Sequence, residues 1–292
     1  MPQNVLVTGA SGGFGALITK ALLRDGHAVV GSMRGAQDRN RAIADELTAA
    51  GAKIVEIDVT NDASVQSGVD AAHEAVGGLT AVVNNAGAGT LGLQETFTPD
   101  DWQRVFDINV FGVQRVNRAV LPQMRAAGSG LLIHVSSLLG RFVLPFLGPY
   151  NASKHALEAL ADNYRVELAG VGIDSVVVEP GGYGTAFHEG IMQPSDQQRI
   201  ESYGEYANAP AALMEGFGEN LVGEGAPDPQ NVAEAVAGLV KTPAGQRPFR
   251  TVVDELGMAA PIEAINEVSA ASTAGIYEAF EMADMLTLRT QQ

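Results

Sequence analysis

The sequence contains no cysteine. That absence excludes disulfide staples, a thiolate nucleophile and cysteine-ligated zinc together, and it suits the reducing cytoplasm better than a secreted scaffold. Basic residues are also scarce: 18 Lys and Arg stand against 34 Asp and Glu, a net charge of −16. A surface of that sign repels phosphate backbones and anionic leaflets, so neither nucleic acid nor a membrane is an expected partner. Solubility or a salty cytoplasm accounts for the acidity without a functional meaning. No apolar run approaches the roughly 18 residues of a membrane span. Met1-Pro2-Gln3-Asn4 leads straight into an apolar strand, without the cationic start of a targeting segment. The five histidines, His27, His73, His134, His155 and His188, fall at no metal-ligand spacing, and no metal is expected. His134 sits in an apolar run and reads as a core residue; His188 is the one near the expected substrate loop.

What is present is apolar content, 46% of 292 residues, enough for a sizeable core in one domain spanning residues 1–292. Short β-rich runs at Val5–Thr8, Ala28–Ser32, Ile54–Ile57, Ala81–Asn84, Leu131–Ser136, Ser175–Glu179 and Thr251–Val253 alternate with helical patterns. Several runs are apolar throughout rather than alternating, which suits strands covered on both faces. The expected fold is α/β: a single doubly wound Rossmann-type domain with a mostly parallel seven-stranded sheet and helices on both faces. Residues 181–229, rich in Gly, Pro, Gln, Glu and Tyr, read as an irregular insertion; loops of that length in a compact domain tend to be functional, and substrate contacts are expected there. Asn231–Lys241 and Pro261–Leu288 read as helical.

After the first strand comes Thr8-Gly9-Ala10-Ser11-Gly12-Gly13-Phe14-Gly15, then the helical run Ala16–Arg24. Glycines there let the backbone approach a pyrophosphate, and the positive end of the new helix stabilises its charge. Tight strand-to-helix packing alone is the alternative; the position directly between strand and helix favours a dinucleotide. At the end of the second strand a carboxylate would select a ribose 2′-hydroxyl and repel a 2′-phosphate. Here the residues are Ser32-Met33-Arg34, and Arg34 offers a permanent cation suited to phosphate, which favours NADP over NAD. A solvated Arg34, with Asp38 folding back to a ribose, is the competing reading.

With these residues in place the chain resembles the classical short-chain dehydrogenase/reductases, in their hydroxysteroid- and retinol-dehydrogenase-like carbonyl reductase branch, over roughly Val5 to Thr185. The resemblance rests on the glycine spacing, Asp58, Asn84-Asn85-Ala86-Gly87, Asn109, Ser136-Ser137, Tyr150-x-x-x-Lys154 and Pro180-Gly181 with Thr185, all in order. It implies a cofactor site of Gly9, Ser11, Gly13, Phe14, Gly15, Arg34, Asp58, Val59, Asn85, Ala86, Gly87, Tyr150, Lys154, Pro180, Gly181 and Thr185. In that site Asp58 would hold the adenine amine, and Pro180 to Thr185 would flank the nicotinamide carboxamide. Catalysis would fall to Ser137, Tyr150 and Lys154, with Asn109 supporting Lys154 through a water. Ser137 is preferred to Ser136 for its thirteen-residue distance from the tyrosine. The helices Phe111–Ala127 and Asn151–Gly170 resemble the family's dimer-forming pair and imply a homodimer or homotetramer. Gly12 departs from the pattern, standing where many members carry Ser or a basic residue.

The chemistry is physically reasonable. Reducing a ketone needs a hydride on carbon and a proton on oxygen, yet free tyrosine, with a pKa of about 10, holds its proton too tightly. Lowering it by roughly three units takes about 4 kcal/mol, which one cation about 4 Å away supplies at an effective dielectric near 20. Residues four apart share a helix face, so Lys154 is placed to be that cation. Apolar residues such as Leu139, Val143, Leu144, Phe146, Phe187, Ile191, Met192, Tyr203, Tyr206, Leu213, Met214 and Phe217 favour a bulky, apolar ketone, aldehyde or alcohol. The competing functions are an NAD-dependent alcohol dehydrogenase on the same site, a non-catalytic dinucleotide-binding redox sensor and, least suited, a sugar-nucleotide epimerase. Asp100-Asp101 before a helix reads as a cap rather than an acid catalyst.

Overall fold

A computed structural model describes residues 1–290, the side chains of His188 and Glu189 excepted. Seven strands form one sheet in the order β3-β2-β1-β4-β5-β6-β7: β1 Asn4–Thr8, β2 Ala28–Met33, β3 Lys53–Glu56, β4 Ala81–Asn84, β5 Gly130–Val135, β6 Ile173–Pro180 and β7 Arg250–Val253. Every pairing is parallel, so the sheet is wholly rather than mostly parallel. Side chains alternate across a strand, and β1 shows why its run is apolar throughout. Val5 and Val7 pack with Ile18 and Leu22 of α1 (Gly13–Arg24), whereas Leu6 belongs to the opposite layer.

Helix α2 (Arg41–Ala49) covers the β3 edge with Ala44 and Leu47. Helix α3 (Asp62–Val76) joins the Leu6 layer through Val65 and Val69. Helix α4 (Pro99–Phe106) begins with a reciprocal cap between Thr98 and Asp101, the structural role expected of that acid. A π-helical turn, Asp107–Phe111, carries Asn109 and runs into α5 (Gly112–Ala127), which adds Val116 and Val120 to the Leu6 layer. Helix α6 (Gly148–Ala169) starts earlier than the sequence pattern suggests, so Tyr150 lies in its first turn.

Residues 181–229 are not structureless. They hold a 3-10 turn, Ala186–Gly190, and the helices α7 (Gln197–Ser202) and α8 (Ala209–Gly218). Few of their side chains are buried, which is why no 3.6-residue apolar stripe announces them. Helix α9 (Gln230–Lys241) packs Val232 and Val236 beside α1. Helix α10 (Ala259–Ala279) ends before the expected Leu288, and a short 3-10 turn, Ala283–Leu286, follows. Among the described residues no helix is long and apolar enough to cross a membrane. The strand order reverses between β1 and β4, and ligands of doubly wound sheets bind at the carboxyl ends beside such a reversal.

Candidate active site

At that reversal the glycine turn after β1 meets the loop after β4. Thr8 Oγ1 accepts from the backbone N–H groups of Asn85 at 3.0 Å and Ala86 at 3.1 Å, and Asn85 Nδ2 donates back to the Thr8 carbonyl at 2.9 Å. Sequence reasoning gave Asn85 to the cofactor and Thr8 no task; here both also staple the two loops together. The close approach needs glycine. A Cβ on Gly15 would stand 2.2 Å from the Gly9 carbonyl oxygen, and Gly9 itself has φ +69°. The new helix α1 has neither a side-chain cap nor an acid in its first turn, so its leading N–H groups and positive dipole end are left for an anion.

One cleft of about 1050 Å³ continues from this turn to the far side of β5, and all the expected cofactor residues line it except Gly15, which sits behind the turn. At its β2 end stands Arg34, with Arg39 and Asn40, two lining residues that sequence reasoning missed. Asn40 Nδ2 donates to the Arg34 carbonyl at 2.6 Å, and the Glu56 carboxylate accepts from the N–H groups of Gly35 at 2.6 Å and Ala36 at 3.1 Å. The nearby acid is thus spent on backbone. Asp38 accepts from the Arg39 N–H and does not line the cleft, so the loop does not fold back in the way the competing reading required. Asp58 does line it; one oxygen accepts from the Thr60 N–H and hydroxyl, and the other lies 4.0 Å from Arg34. Burial pushes the Asp58 carboxyl upward, but the Thr60 hydrogen bonds and Arg34 outweigh it, and the group stays ionised below the usual range.

Beyond the switch point lie Ser137, Tyr150 and Lys154. Ser137 Oγ accepts from the Leu139 N–H at 3.1 Å, at the head of a 3-10 turn, and its hydroxyl also reaches the Tyr150 phenol. Ser136 also lines the cleft, with its Oγ beside Gly140 and Glu158. Lys154 is on the same side of α6 as Tyr150: its Nζ lies 5.6 Å from the phenol ring centroid and donates to the Val135 carbonyl at 2.9 Å. The expectation of an acidified tyrosine needs amending. Burial pushes the Tyr150 phenol up to about 12 against the opposing pull of Ser137, and burial pushes the Lys154 ammonium down to about 8, with Glu158 resisting. Burial shifts each group toward its neutral form, although a lysine at about 8 is still an ammonium at neutral pH, and one of its protons is donated to a carbonyl.

Asn109 is buried and fully engaged. Its Oδ1 accepts from the Ala88 N–H at 2.8 Å, and its Nδ2 donates to the Ala88 carbonyl and to Ser153 Oγ, each at 2.9 Å. It clamps the loop after β4 to α6, so its visible work is to fix the wall opposite Lys154. The π-helical turn turns it inward, a local geometry with no plain sequence signal.

Over Tyr150 the cleft is apolar: Leu139, Leu144, Phe187, Ile191, Leu213, Met214 and Phe217 line it, joined by Phe142 and Leu147, which were not foreseen. Other expected residues do not line it. Val143 is exposed, Met192 bridges to Thr90 and ties the loop to the body, the Tyr203 hydroxyl donates to Glu95, and Phe146 and Tyr206 pack edge to face outside the cleft. The His188 side chain lies outside the described residues. His134 is a core residue, stacked on Tyr164 and 3.2 Å from Ser175 Oγ.

Residues 3–196 match the family model described as short chain dehydrogenase. The chain belongs to the short-chain dehydrogenase family. This short-chain dehydrogenase is 34% identical over 186 residues to a 3-ketodihydrosphingosine reductase of Bacteroides thetaiotaomicron, covering 64% of this chain and 66% of that one. It is 37% identical over 177 residues to a 3-alpha-(or 20-beta)-hydroxysteroid dehydrogenase of Mycobacterium tuberculosis, covering 60% and 67%. It spans only 16% of glycine betaine reductase of Emericella nidulans, with 35% identity over 207 residues. Among solved structures, a short-chain dehydrogenase from Streptomyces avermitilis superposes with a TM-score of 0.75 at 29% identity, over 96% of this chain and 98% of that one. An actinorhodin polyketide ketoreductase with NADPH gives 0.72 at 26% over 88% and 97%, and a Burkholderia phymatum short-chain dehydrogenase/reductase with NAD gives 0.74 at 26% over 93% and 95%. The protein is therefore an oxidoreductase of alcohol and carbonyl groups that uses a nicotinamide dinucleotide and acts on small molecules.

Proposed function

We propose that this oxidoreductase interconverts a bulky, apolar ketone or aldehyde and the corresponding alcohol with NADP(H), and that Tyr150 handles the proton. The observation that carries the reading is the continuity of one cleft, from the uncapped start of α1 past Arg34 and Arg39 to Ser137, Tyr150 and Lys154 under an apolar roof. The residues fit the dinucleotide: the uncapped N–H groups of α1 would hold a pyrophosphate, the Arg34 and Arg39 guanidinium groups a 2′-phosphate, and Asp58 the adenine amine. Pro180, Gly181 and Thr185 would border its carboxamide. When bound, the cofactor supplies or accepts the hydride, and its oxidised ring brings a positive charge beside the phenol.

The protein's own work is to orient and to move a proton. Ser137 donates to the carbonyl oxygen and orients it, and Tyr150 Oη gives that oxygen its proton in reduction or takes it in oxidation. The Lys154 ammonium holds the ribose hydroxyls and lowers the cost of the phenolate. Residues 181–229 form the substrate cover: Phe187 packs 5.8 Å from the Tyr150 ring, and Asp101 anchors the segment by accepting from the Ser195 N–H and hydroxyl. Self-association through α5 and α6, as a homodimer or homotetramer, belongs to the same reading and is supported by the exposed Phe111 at the start of α5. A cysteine-free chain in a reducing cytoplasm is consistent with it.

The test is Tyr150→Phe, assayed with NADPH and a panel of bulky ketones. Turnover is expected to fall about 10²–10⁴-fold, the usual worth of general acid catalysis, while NADPH fluorescence titration stays close to wild type. Unchanged turnover on an accepted ketone would refute the mechanism.

A further inference from the structure

Behind Lys154, on the side away from the cleft, lies a buried ionic cluster that the reaction as described leaves unused. Glu158 is 2% exposed and one helical turn beyond Lys154 on the same face of α6. Its Oε2 accepts from Arg250 Nε of β7 at 3.0 Å. Its Oε1 lies against Gly140 near Ser136 Oγ. A Cβ at Gly140 would stand 2.9 Å from both Ser136 Oγ and Glu158 Cγ, so the glycine makes the room. Glu179 of β6, fully buried, shares the same guanidinium at 3.5 Å and lies 3.8 Å from Arg141. Arg250 Nη2 reaches Asp162, and Asn266 of α10 donates to Glu179.

Two buried carboxylates with a share in one guanidinium do not ionise equally. Burial raises both, and Glu179, farther from Arg250, is pushed up to about 7. The carboxylate in closest contact with Arg250 is Glu158. It is also the charge that faces Lys154; among the described residues, β5 brings the Val135 carbonyl to the amine, and α6 itself brings the neutral Tyr150.

We propose that Glu158 is a positioning residue for the reaction: a buried carboxylate, held in place by Arg250 and set one helical turn behind Lys154 on the same face of α6, that supports the Lys154 ammonium. This deepens the proposed function and rests on it, because the ammonium matters only if Tyr150 carries the proton. The cost of burying Glu158, Glu179 and Arg250 is then tied to catalysis, since buried ion pairs are often no more stabilising than apolar substitutes.

The experiment measures the pH profile of kcat for ketone reduction in wild type, Glu158→Gln, Glu158→Asp and Asp174→Asn. Asp174 serves as a control because it forms a buried pair with Arg247, at 3.1 Å, far from the cleft. Removing the Glu158 charge is expected to move the alkaline limb, where the ammonium is lost, down by about one pH unit, with a roughly fivefold loss at the old midpoint. Glu158→Asp is expected to keep the limb near its wild-type position, and Asp174→Asn to leave it in place. Should the single glutamine variant fail to fold because Arg250 is left short of a carboxylate, the double variant Glu158→Gln with Arg250→Gln removes both buried charges and carries the same expected shift. An unmoved limb in a folded variant lacking the carboxylate, or an equal shift in Asp174→Asn, overturns the proposal. The parent reading is scored separately: if Tyr150→Phe loses turnover while the Glu158 variants keep their profile, the proposed function stands and this inference alone fails.

Discussion

Reversing the charge at Arg34 should reverse the cofactor preference. Arg34 is about half exposed, lines the β2 end of the cleft and, among the described residues, has one weak ion-pair partner, Asp58 at 4.0 Å, so its guanidinium is not consumed there by a close internal pair. At a contact distance of about 4 Å, a unit charge pair is worth about 1 kcal/mol in water and about 4 at an effective dielectric of 20. Exposure argues for the lower end. Arg34→Asp both removes the attraction and adds a repulsion, which gives about 2 kcal/mol against a 2′-phosphate, or roughly 30-fold in Kd. NADH carries no such phosphate, and its affinity should hold or rise as the new carboxylate accepts from the ribose hydroxyl. The assay is fluorescence titration of both reduced cofactors at low and high salt. The loss for NADPH should shrink as ionic strength rises, because the Debye length falls to about 8 Å at physiological salt. Equal losses for NADPH and NADH, or no loss at all, would refute the 2′-phosphate assignment, with Arg39→Asp as the check on whether the second cation carries it instead.

Gly15→Ala drives a methyl to within 2.2 Å of the Gly9 carbonyl oxygen, so overpacking should cost about 1–3 kcal/mol and lower Tm by several degrees, whereas Gly12→Ala, with only Ala186 Cβ at 4.0 Å, should leave the thermal melt unchanged. His134, buried and pushed down to about 3, stays neutral in the fold but titrates near 6.5 when unfolded. Its contribution is whole above about pH 6.5 and is lost at about 1.4 kcal/mol per unit as pH falls toward 3; urea melts at pH 7 and 5 should therefore show a smaller acid penalty in His134→Phe than in wild type.

Much of this architecture can be read from the residues because its signals are local. Apolar runs such as Leu131 to Val135 have a ready physical explanation at that length, burial on both faces, and in the structure this run lies between two cores. The Tyr150 and Lys154 spacing needs only helical geometry to bring the two groups to one side. Contributions that depend on tertiary neighbours were silent. Arg39 and Asn40 line the cleft on a loop after β2 that Glu56 ties down, and residues 181–229 fold into short helices whose side chains find partners elsewhere in the chain.

The sharpest departure concerns the proton. A single cation at helical spacing is enough, on paper, to acidify a phenol, yet burial drives Tyr150 and Lys154 toward neutrality together. In the mechanism proposed above, the further charge is Glu158, one more turn along the same face of α6, and what spacing does not reveal is that this carboxylate is paired with Arg250, some ninety residues away in β7. The motif supplies the groups, while the folded sheet, by bringing β5, β6 and β7 behind α6, sets the protonation states in which they can react.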